Sequence, residues 1–222
     1  MLEVQNVCKS YLRGKQLVHA VKGVSINLNA GELVAIVGPS GCGKSSFLHL
    51  CGGMDRMDEG EVFLEEQALS ILSDEQLTRV RRSRVGFIFQ FFNLLPTLTV
   101  QQNIALPLLL CGESVSATDS KVFALAERVG LTERLNHFPQ EISGGEAQRT
   151  AIARAIIHRP AVIVADELTG NLDSDNGRKV LDLLVELNVT FNTAVLLATH
   201  DQQVADRAGR VVEMQDGRVI GR

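Results

Sequence analysis

The sequence predicts an α/β fold with a mostly parallel sheet, an antiparallel β portion and an inserted helical lobe. Three observations predict it: short continuous apolar runs, one alternating stretch, and a long middle region without a strand pattern. Short apolar runs are typical of strands that are buried on both faces, as in a parallel sheet covered by helices. The four runs are residues 33–37, 85–89, 161–165 and 194–198.

Two local patterns predict further strands. Apolar and polar side chains alternate from residue 24 to residue 29, which is typical of a half-exposed strand. Near the end of the sequence, Asp216-Gly217 has the composition of a tight hairpin turn, so we expect a strand on either side of it.

Other patterns predict where helices begin and end. Ser73 with Gln76, and Thr99 with Gln102, have the spacing of helix capping boxes. Gly130 ends a periodic apolar stretch, as a glycine after a helix C-terminus does.

One domain with an inserted lobe is the organisation that these elements predict. Residues 91–158 contain helix signals and no strong strand candidate, so we expect a helical subdomain there. Residues 1–90 and 159–222 then form the α/β core, and residues 1–222 form a single domain. At 222 residues, the chain is long enough to bury a core without disulfides or metals.

The composition excludes several classes of protein. Hydrophobic residues are 45% and charged residues 22% of the chain, which is ordinary for a globular protein. The net charge of −4 disfavours a nucleic-acid partner, because phosphate-binding surfaces are usually basic. No apolar run approaches about 18 residues, and the beginning of the sequence has no secretory pattern. We therefore expect a cytoplasmic chain that does not insert into a membrane.

Each of the four apolar runs leads directly into a polar or glycine-rich segment. Gly38, Gln90, Asp166 and His200 mark these segments in chain order. In open α/β sheets, ligands bind beyond the carboxyl ends of the strands. The sequence therefore predicts one ligand site built from all four segments.

The segment after the first run has the G-x-x-x-x-G-K-[ST] spacing of a phosphate-binding P-loop, residues 38–45. Its glycines let backbone N–H groups surround a triphosphate, and the following helix presents its positive end. We expect Lys44 to reach the β- and γ-phosphates and the Ser45 hydroxyl to bind Mg²⁺. The alternative is a chance glycine turn between a strand and a helix. The residues predicted to bind nucleotide here are Gly38, Pro39, Ser40, Gly41, Cys42, Gly43, Lys44, Ser45 and Ser46.

Two acidic residues follow the third apolar run. We expect Asp166 to hold Mg²⁺, and Glu167 to orient and deprotonate an attacking water molecule. The alternative is a solvated turn at a strand end, which the P-loop elsewhere in the chain disfavours.

Residues 143–146, Ser-Gly-Gly-Glu, open a predicted helix that runs to about residue 157. Ser143 and Glu146 fit a capping box. A cap does not require Gly144 and Gly145, which weaken a first helical turn but expose N–H groups that favour an anion. Because the P-loop already accounts for one nucleotide, we expect this segment to meet the nucleotide of a second subunit. Both interpretations can hold together.

In order and spacing, these segments together with Asn171-Leu172-Asp173 resemble the nucleotide-binding subunit of ABC transporters, and the resemblance covers essentially the whole chain. It implies the ABC cassette form of the P-loop NTPase fold and a head-to-tail homodimer with two ATP molecules between the subunits. Ser143 and Gly145 would contact the γ-phosphate bound by the partner. Hydrolysis of ATP would drive an integral membrane permease, with the cassette peripheral on the inner face of the cell membrane.

The resemblance also implies roles for individual residues. Gln90 would sense Mg²⁺ and the attacking water, His200 would contact the γ-phosphate, and Asp173 would lie at the dimer seam. Tyr11 would stack on adenine; the alternative is a lone exposed tyrosine at a strand end. The implied catalytic residues are Glu167, His200, Gln90 and Lys44. The implied Mg²⁺ residues are Ser45, Gln90 and Asp166, and the further ATP-binding residues are Tyr11, Ser143, Gly144, Gly145, Glu146 and Asp173.

Some tracts resemble one branch of the family more closely. Residues 86–96 and 168–173 are similar to the lipoprotein-releasing (Lol), MacB-type and FtsE ATPases, whose permeases have a large extracytoplasmic domain. Within this branch the sequence leaves open export, lipoprotein release, and an FtsE-like regulation of cell-wall remodelling without transport. The sequence departs from the family pattern at Leu168, which replaces a proline without removing a chemical group, and at Glu146, where many family members have glutamine.

Two alternatives come from other classes of protein. An ABC-type ATPase that acts on DNA or ribosomes is disfavoured by the negative net charge and by the lack of sustained heptads. A small-molecule kinase would leave residues 143–146 and His200 unexplained.

Overall fold

Residues 1–221 are described by the computed structural model, as ten strands and seven α-helices. The strands are β1 (Leu2–Arg13), β2 (Gln16–Leu28), β3 (Leu33–Val37), β4 (Glu59–Leu64), β5 (Gln67–Ala68), β6 (Val85–Ile88), β7 (Val162–Asp166), β8 (Ala194–Thr199), β9 (Arg210–Gln215) and β10 (Arg218–Gly221). The helices are α1 (Lys44–Cys51), α2 (Asp74–Arg84), α3 (Val100–Leu110), α4 (Val115–Arg128), α5 (Gly144–Ile156), α6 (Ser174–Phe191) and α7 (Gln202–Ala205). Two short 3-10 turns, Thr132–Arg134 and Pro139–Glu141, lie between α4 and α5.

The first sheet is antiparallel and has four strands in the order β2-β1-β4-β5. The alternating stretch from residue 24 lies at the end of β2, as predicted, but the strand already begins at Gln16. β1 was not predicted from the sequence. Its register with β2 shifts at three places between Val4 and Ser10, and each shift interrupts the period-two alternation by which a strand is recognised.

The second sheet has six strands in the order β10-β9-β3-β8-β7-β6. The five strands from β9 to β6 run parallel, and the edge strand β10 is antiparallel. The four apolar runs form β3, β6, β7 and β8, although β6 ends at Ile88 and β7 continues to Asp166. The predicted α/β fold, with a mostly parallel sheet and an antiparallel β portion, is confirmed.

Neighbouring residues of the parallel strands face two separate hydrophobic clusters. In β8, Leu196 belongs to the first cluster with Phe47 of α1. The next residue, Leu197, belongs to the second cluster with Ile152 of α5 and Leu184 of α6. Because side chains alternate along a strand, helices cover both faces of this sheet, and its strand ends carry the polar residues.

Three helices, α3 to α5, lie between β6 and β7 in the chain. The predicted capping boxes begin α2 and α3: the N–H of Gln76 donates to Ser73, and that of Gln102 donates to Thr99. Gly130 follows α4 with a φ of +66°, which glycine adopts without strain. In the described part of the chain, no helix is both long and apolar enough to cross a bilayer.

The predicted hairpin turn at Asp216-Gly217 joins β9 to β10, with φ values of +48° and +80° at the two residues, as hairpin turns of this kind require. The turn packs against the P-loop. The N–H of Gly217 donates to the Cys42 carbonyl at 2.9 Å, and the N–H of Lys22 donates to the Gly217 carbonyl at 2.8 Å. The β9–β10 hairpin and β2 thus support the loop from behind.

Candidate functional site

The P-loop joins β3 to α1, and backbone groups surround it closely. A Cβ on Gly38 would lie 2.0 Å from the Met214 carbonyl oxygen, and one on Gly43 would lie 2.1 Å from the Ala20 carbonyl oxygen. Only glycine fits at these positions. Gly43 is also the N-cap of α1, with a φ of +106° and no side-chain hydrogen bond to the helix. The N–H groups of the first turn are therefore left for a ligand.

The Lys44 side chain is buried although it carries a charge. It is 5% exposed, and its Nζ donates to the carbonyl oxygens of Gly38 at 2.8 Å and Pro39 at 3.0 Å. The ion pairs of the described residues all involve other cations. A buried cation without a counter-ion favours the binding of an anion such as phosphate.

A cavity of about 570 Å³ borders the P-loop. Its lining joins residues 40–46 of the loop and α1 to Val18 and His19 of β2 and to Glu167 beyond β7. This volume is in the range of small-molecule sites. The structure therefore brings Glu167 next to the P-loop, as the sequence predicted.

Asp166 and Glu167 follow one another at the end of β7. Asp166 Oδ1 is buried and accepts no hydrogen bond from any described residue. Together with the Ser45 hydroxyl at the start of α1, it offers the oxygen donors that Mg²⁺ prefers. Glu167 has a φ of +46°, a conformation that is uncommon outside glycine and clusters at functional sites. Its Oε1 lies 3.0 Å from His200 Nδ1.

Gln90 lies beside Glu167 and follows β6. A Cβ placed on Gly170 would be 3.2 Å from Gln90 Nε2 and 3.5 Å from Glu167 Oε2, so both side chains border the same point. The Gln90 carbonyl accepts a hydrogen bond from Asn171 Nδ2 at 2.6 Å. The structure therefore brings Gln90, Glu167 and His200 together, as expected for strand ends of one parallel sheet.

The signature segment, residues 143–146, forms the N-terminus of α5 with a complete capping box. The Glu146 N–H donates to Ser143 Oγ at 3.3 Å, and the Ser143 N–H donates to Glu146 Oε2 at 2.8 Å. The carboxylate also accepts from Ser143 Oγ at 2.8 Å and from Arg134 Nε at 2.8 Å. Arg134, followed by the Ser143 N–H, lowers the pKa of the Glu146 carboxyl to about 2, so it is ionised at neutral pH.

The signature segment borders a second group of the predicted residues. Leu172 Cδ2 lies 3.5 Å from the position of a Cβ on Gly144, and Asn176 Oδ1 lies 3.2 Å from that of one on Gly145. Asp173 caps α6 by accepting from the Asn176 N–H at 3.0 Å. None of these residues, all within the described chain, lines the P-loop cavity. The chain thus carries two separate groups of site residues.

Tyr11, near the end of β1, is 36% exposed. Its hydroxyl donates to Asp55 Oδ2 at 2.7 Å, and Lys9 Nζ lies 5.3 Å from the ring centroid. Burial, followed by the hydrogen bond to Asp55, raises the pKa of Tyr11, and a hydrogen bond with Ser46 of α1 lowers it. The ring is therefore held beside α1 by neighbouring side chains.

Sequence patterns missed Arg134 and Asp55, each of which supports a site residue from another element. Arg134 is 12 positions from Glu146, and Asp55 is 44 positions from Tyr11. For Arg134 no local pattern gave a signal, because the N-terminus of a helix itself stabilises a carboxylate such as that of Glu146. No local pattern marks Asp55.

Comparison with known proteins identifies relatives over the full chain. Residues 21–170 match the family model described as ABC transporter. A protein of Legionella pneumophila (strain Lens), named lipoprotein-releasing system ATP-binding protein LolD, is 43% identical over 222 residues, which is 100% of this chain and 98% of that protein. The protein of the same name from Acinetobacter baylyi is 44% identical over 218 residues, which cover 98% and 96% of the two chains.

Solved structures agree with these relatives. The dimeric post-hydrolysis structure of the ATP-binding cassette MJ0796, bound to ADP and Pi, has a TM-score of 0.91 and 39% identity, and covers 99% of this chain and 96% of its own. A second dimeric structure of MJ0796, described as a bacterial ABC transporter cassette, matches with the same values. The resemblance stated from the motifs, including its Lol branch, is confirmed. This chain belongs to the ABC transporter family, in which it is a nucleotide-binding, ATP-hydrolysing cassette.

Proposed function

We propose that this chain is the ATPase subunit of a lipoprotein-releasing ABC system and acts as an ATP-sandwich dimer on an integral membrane permease. One observation carries the proposal: the predicted site residues form two separate groups, the P-loop cavity with Glu167 and the signature segment beside Asp173. Head-to-tail pairing of two copies brings each signature segment to the P-loop of the other. The name of the relatives and the dimeric cassette structures support the substrate class and the assembly.

In this dimer, each nucleotide is bound by residues of both subunits. Residues 38–46 bind the triphosphate and Tyr11 stacks on the adenine. Ser143 and Gly145 of the partner contact the γ-phosphate, with Glu146 holding that segment, and Asp173 lies at the dimer seam. We assign residues 1–90 and 159–222 to the catalytic core and residues 91–158 to a helical subdomain that carries the signature segment.

We propose that the site also binds Mg²⁺. Ser45, Gln90 and Asp166 would hold it, and the unpartnered Asp166 Oδ1 supports this choice of ligands. When bound, the ion neutralises charge on the β- and γ-phosphates.

Hydrolysis needs a base beside the γ-phosphate. Glu167 accepts a proton from a water molecule, the water oxygen forms a bond to the γ-phosphorus, and the bond to the departing ADP oxygen breaks. His200, whose Nδ1 lies 3.0 Å from Glu167 Oε1, keeps this carboxylate and the γ-phosphate in register. Gln90 positions the water, and Lys44 balances the charge on the phosphates. Loss of the γ-phosphate removes the bridge between subunits and favours dimer opening.

The loop after Gln90 is our candidate contact with the permease. Phe91 is 72% and Leu95 44% exposed. Arg154 of α5 donates to the carbonyl oxygens of Phe92 at 2.8 Å and Asn93 at 2.6 Å, so this loop is tied to the helix that begins with the signature segment. A cytoplasmic segment of the permease seated here would hold the cassette on the inner face of the membrane and couple nucleotide state to membrane motion.

The experiment that tests this function is a nucleotide-dependent pull-down. A tagged Glu167→Gln chain, expressed in its native host and given ATP and Mg²⁺, should form a stable dimer, because it binds ATP but lacks the base. From detergent-solubilised membranes it should recover a permease with a large extracytoplasmic domain and proteins that handle lipoproteins. A Lys44→Ala chain is the control and should recover no dimer. Recovery of ribosomal or DNA-repair proteins without a membrane protein would overturn the transport assignment and leave the ATPase intact.

A further inference from the structure

The signature helix has a carboxylate in its first turn, where the helix dipole favours negative charge but the phosphates proposed to bind there disfavour it. Glu146 is the third residue of α5, and this helix end faces the phosphates of the partner's nucleotide in the proposed dimer. Because like charges repel one another, an ionised carboxylate at this helix end would weaken the proposed dimer unless a cation balanced it.

The structure provides that cation in a residue outside the known motif. Arg134 ends the 3-10 turn Thr132–Arg134, and its Nε donates to Glu146 Oε1 at 2.8 Å. The Glu146 side chain is 19% exposed and that of Arg134 is 43% exposed, so the pair is partly shielded from water. The pKa of the Glu146 carboxyl is lowered to about 2, mainly by Arg134, so the carboxylate is ionised at neutral pH.

The other oxygen of the same carboxylate competes for the Ser143 hydroxyl. Glu146 Oε2 accepts hydrogen bonds from the Ser143 N–H and from Ser143 Oγ, both at 2.8 Å. A serine hydroxyl has one hydrogen to donate. To donate it to the γ-phosphate, Ser143 Oγ must turn away from Glu146 Oε2, which then keeps the Ser143 N–H and, through Oε1, the Arg134 guanidinium.

We propose that Arg134 is a positioning residue for nucleotide-driven dimerisation: it neutralises and anchors Glu146, and so frees the Ser143 hydroxyl for the γ-phosphate bound by the partner subunit. Arg134 and Glu146 then act as a unit that replaces the neutral glutamine common at this point of the family pattern. The inference rests on the proposed function, because it requires a nucleotide shared between two subunits.

The test is a double-mutant cycle in the Glu167→Gln chain. Sedimentation equilibrium with saturating ATP and Mg²⁺ gives the dimer dissociation constant for the parent, Arg134→Met, Glu146→Gln and the double variant. In the parent, which has Glu146, we expect Arg134→Met to raise the dimer dissociation constant about tenfold. In the Glu146→Gln background, the same substitution should raise it by less than about twofold. Arg134→Lys, which keeps the charge, should restore most of the loss.

Salt dependence separates charge balance from simple support of the fold. The penalty of Arg134→Met should shrink as salt rises from about 0.1 M to about 1 M, because salt screens the exposed repulsion between carboxylate and phosphate. Urea unfolding of each variant checks that the chain folds. If Arg134→Met does not fold, Arg134→Gln takes its place in the cycle.

Each result decides the matter. Equal losses in both backgrounds, or a loss that salt does not change, would make Arg134 a structural residue and overturn the inference. No loss in either background would overturn it too. Failure of the proposed function would give a different result. The Glu167→Gln parent itself would stay monomeric in saturating ATP, both alone and in complex with its permease, and this would also overturn the inference.

Discussion

The chain has two helix N-termini that face phosphate in the proposed dimer, and they are built in opposite ways. α1 begins after Gly43, whose backbone has a left-handed conformation and which has no side chain to cap the helix. α5 begins after Ser143, whose capping box satisfies both its own N–H and that of Glu146. At α1 the free N–H groups await a ligand, whereas at α5 the chain satisfies its own helix end until a ligand replaces those bonds.

The surroundings of the two helix N-termini also differ. The P-loop is enclosed by backbone: a Cβ on Gly38 would lie 2.0 Å from the Met214 carbonyl oxygen, and Gly217 donates to Cys42. The signature segment has side-chain neighbours and is largely exposed at Ser143 and Gly144. We infer that the P-loop is a prebuilt half-site, which a single chain can use, and that the signature segment contributes only when a second chain brings a nucleotide to it.

The largest effect should come from breaking the prebuilt half. Lys44→Ala removes the buried cation, and with two charge-assisted hydrogen bonds lost we expect ATP affinity to fall about a hundredfold or more. Titration calorimetry with ATP and Mg²⁺ measures it on the single chain. Lys22→Ala is the matched control, because Lys22 lines the same cavity without lying in the loop. Lys44→Ala binding ATP within about threefold of the parent would contradict the assignment.

Ser143→Ala should affect the signature segment without affecting ATP binding by the P-loop. We expect unchanged ATP affinity for the single chain and a dimer of the Glu167→Gln form weakened at least about tenfold, since a hydrogen bond to a charged phosphate is lost. Lost capping also costs about 1 kcal/mol of folding stability. Ser73→Ala controls for that loss, because Ser73 closes the same kind of capping box on α2, and it should leave dimerisation intact. Equal dimer losses in both variants would show that only helix stability matters.

Features that are contiguous in the chain were predicted from the sequence, whereas contacts between distant elements were not. The P-loop, Asp166-Glu167 and the signature segment were identified because each is contiguous and follows or opens a strong element. The four buried strands were found because both of their faces are apolar. β1 was missed because its register shifts interrupt the alternation. Asp55 and Arg134 were missed because their partners Tyr11 and Glu146 lie on other elements, and pairing across elements leaves no local pattern.

A smaller effect should come from the adenine end of the prebuilt half. Tyr11→Leu should weaken ATP binding about tenfold, because stacking of a base on an aromatic ring is worth about 1–3 kcal/mol. Inorganic tripolyphosphate has no base, so its affinity should not change. Tyr11→Phe keeps the ring but loses the hydrogen bond to Asp55, and should bind ATP nearly as well as the parent. If the Leu variant loses affinity for both ligands alike, Tyr11 supports the P-loop and does not stack on adenine.

The smallest effect concerns acid stability at the self-satisfied helix end. Folding lowers the pKa of Glu146 from 4.5 to about 2, so its stabilising contribution is complete above pH 4.5 and is lost as the pH falls toward 2. In urea unfolding, the parent should have a larger free energy of unfolding than Glu146→Gln at about pH 7. The difference between the two should become smaller below about pH 4.5. Glu186→Gln is the control, because its pair with Arg128 is 3.7 Å long and about half exposed and contributes little. If the difference in free energy of unfolding between the parent and Glu146→Gln stays constant down to about pH 3, Arg134 does not hold this carboxylate ionised. The charge balance that we propose for the signature segment would then be wrong.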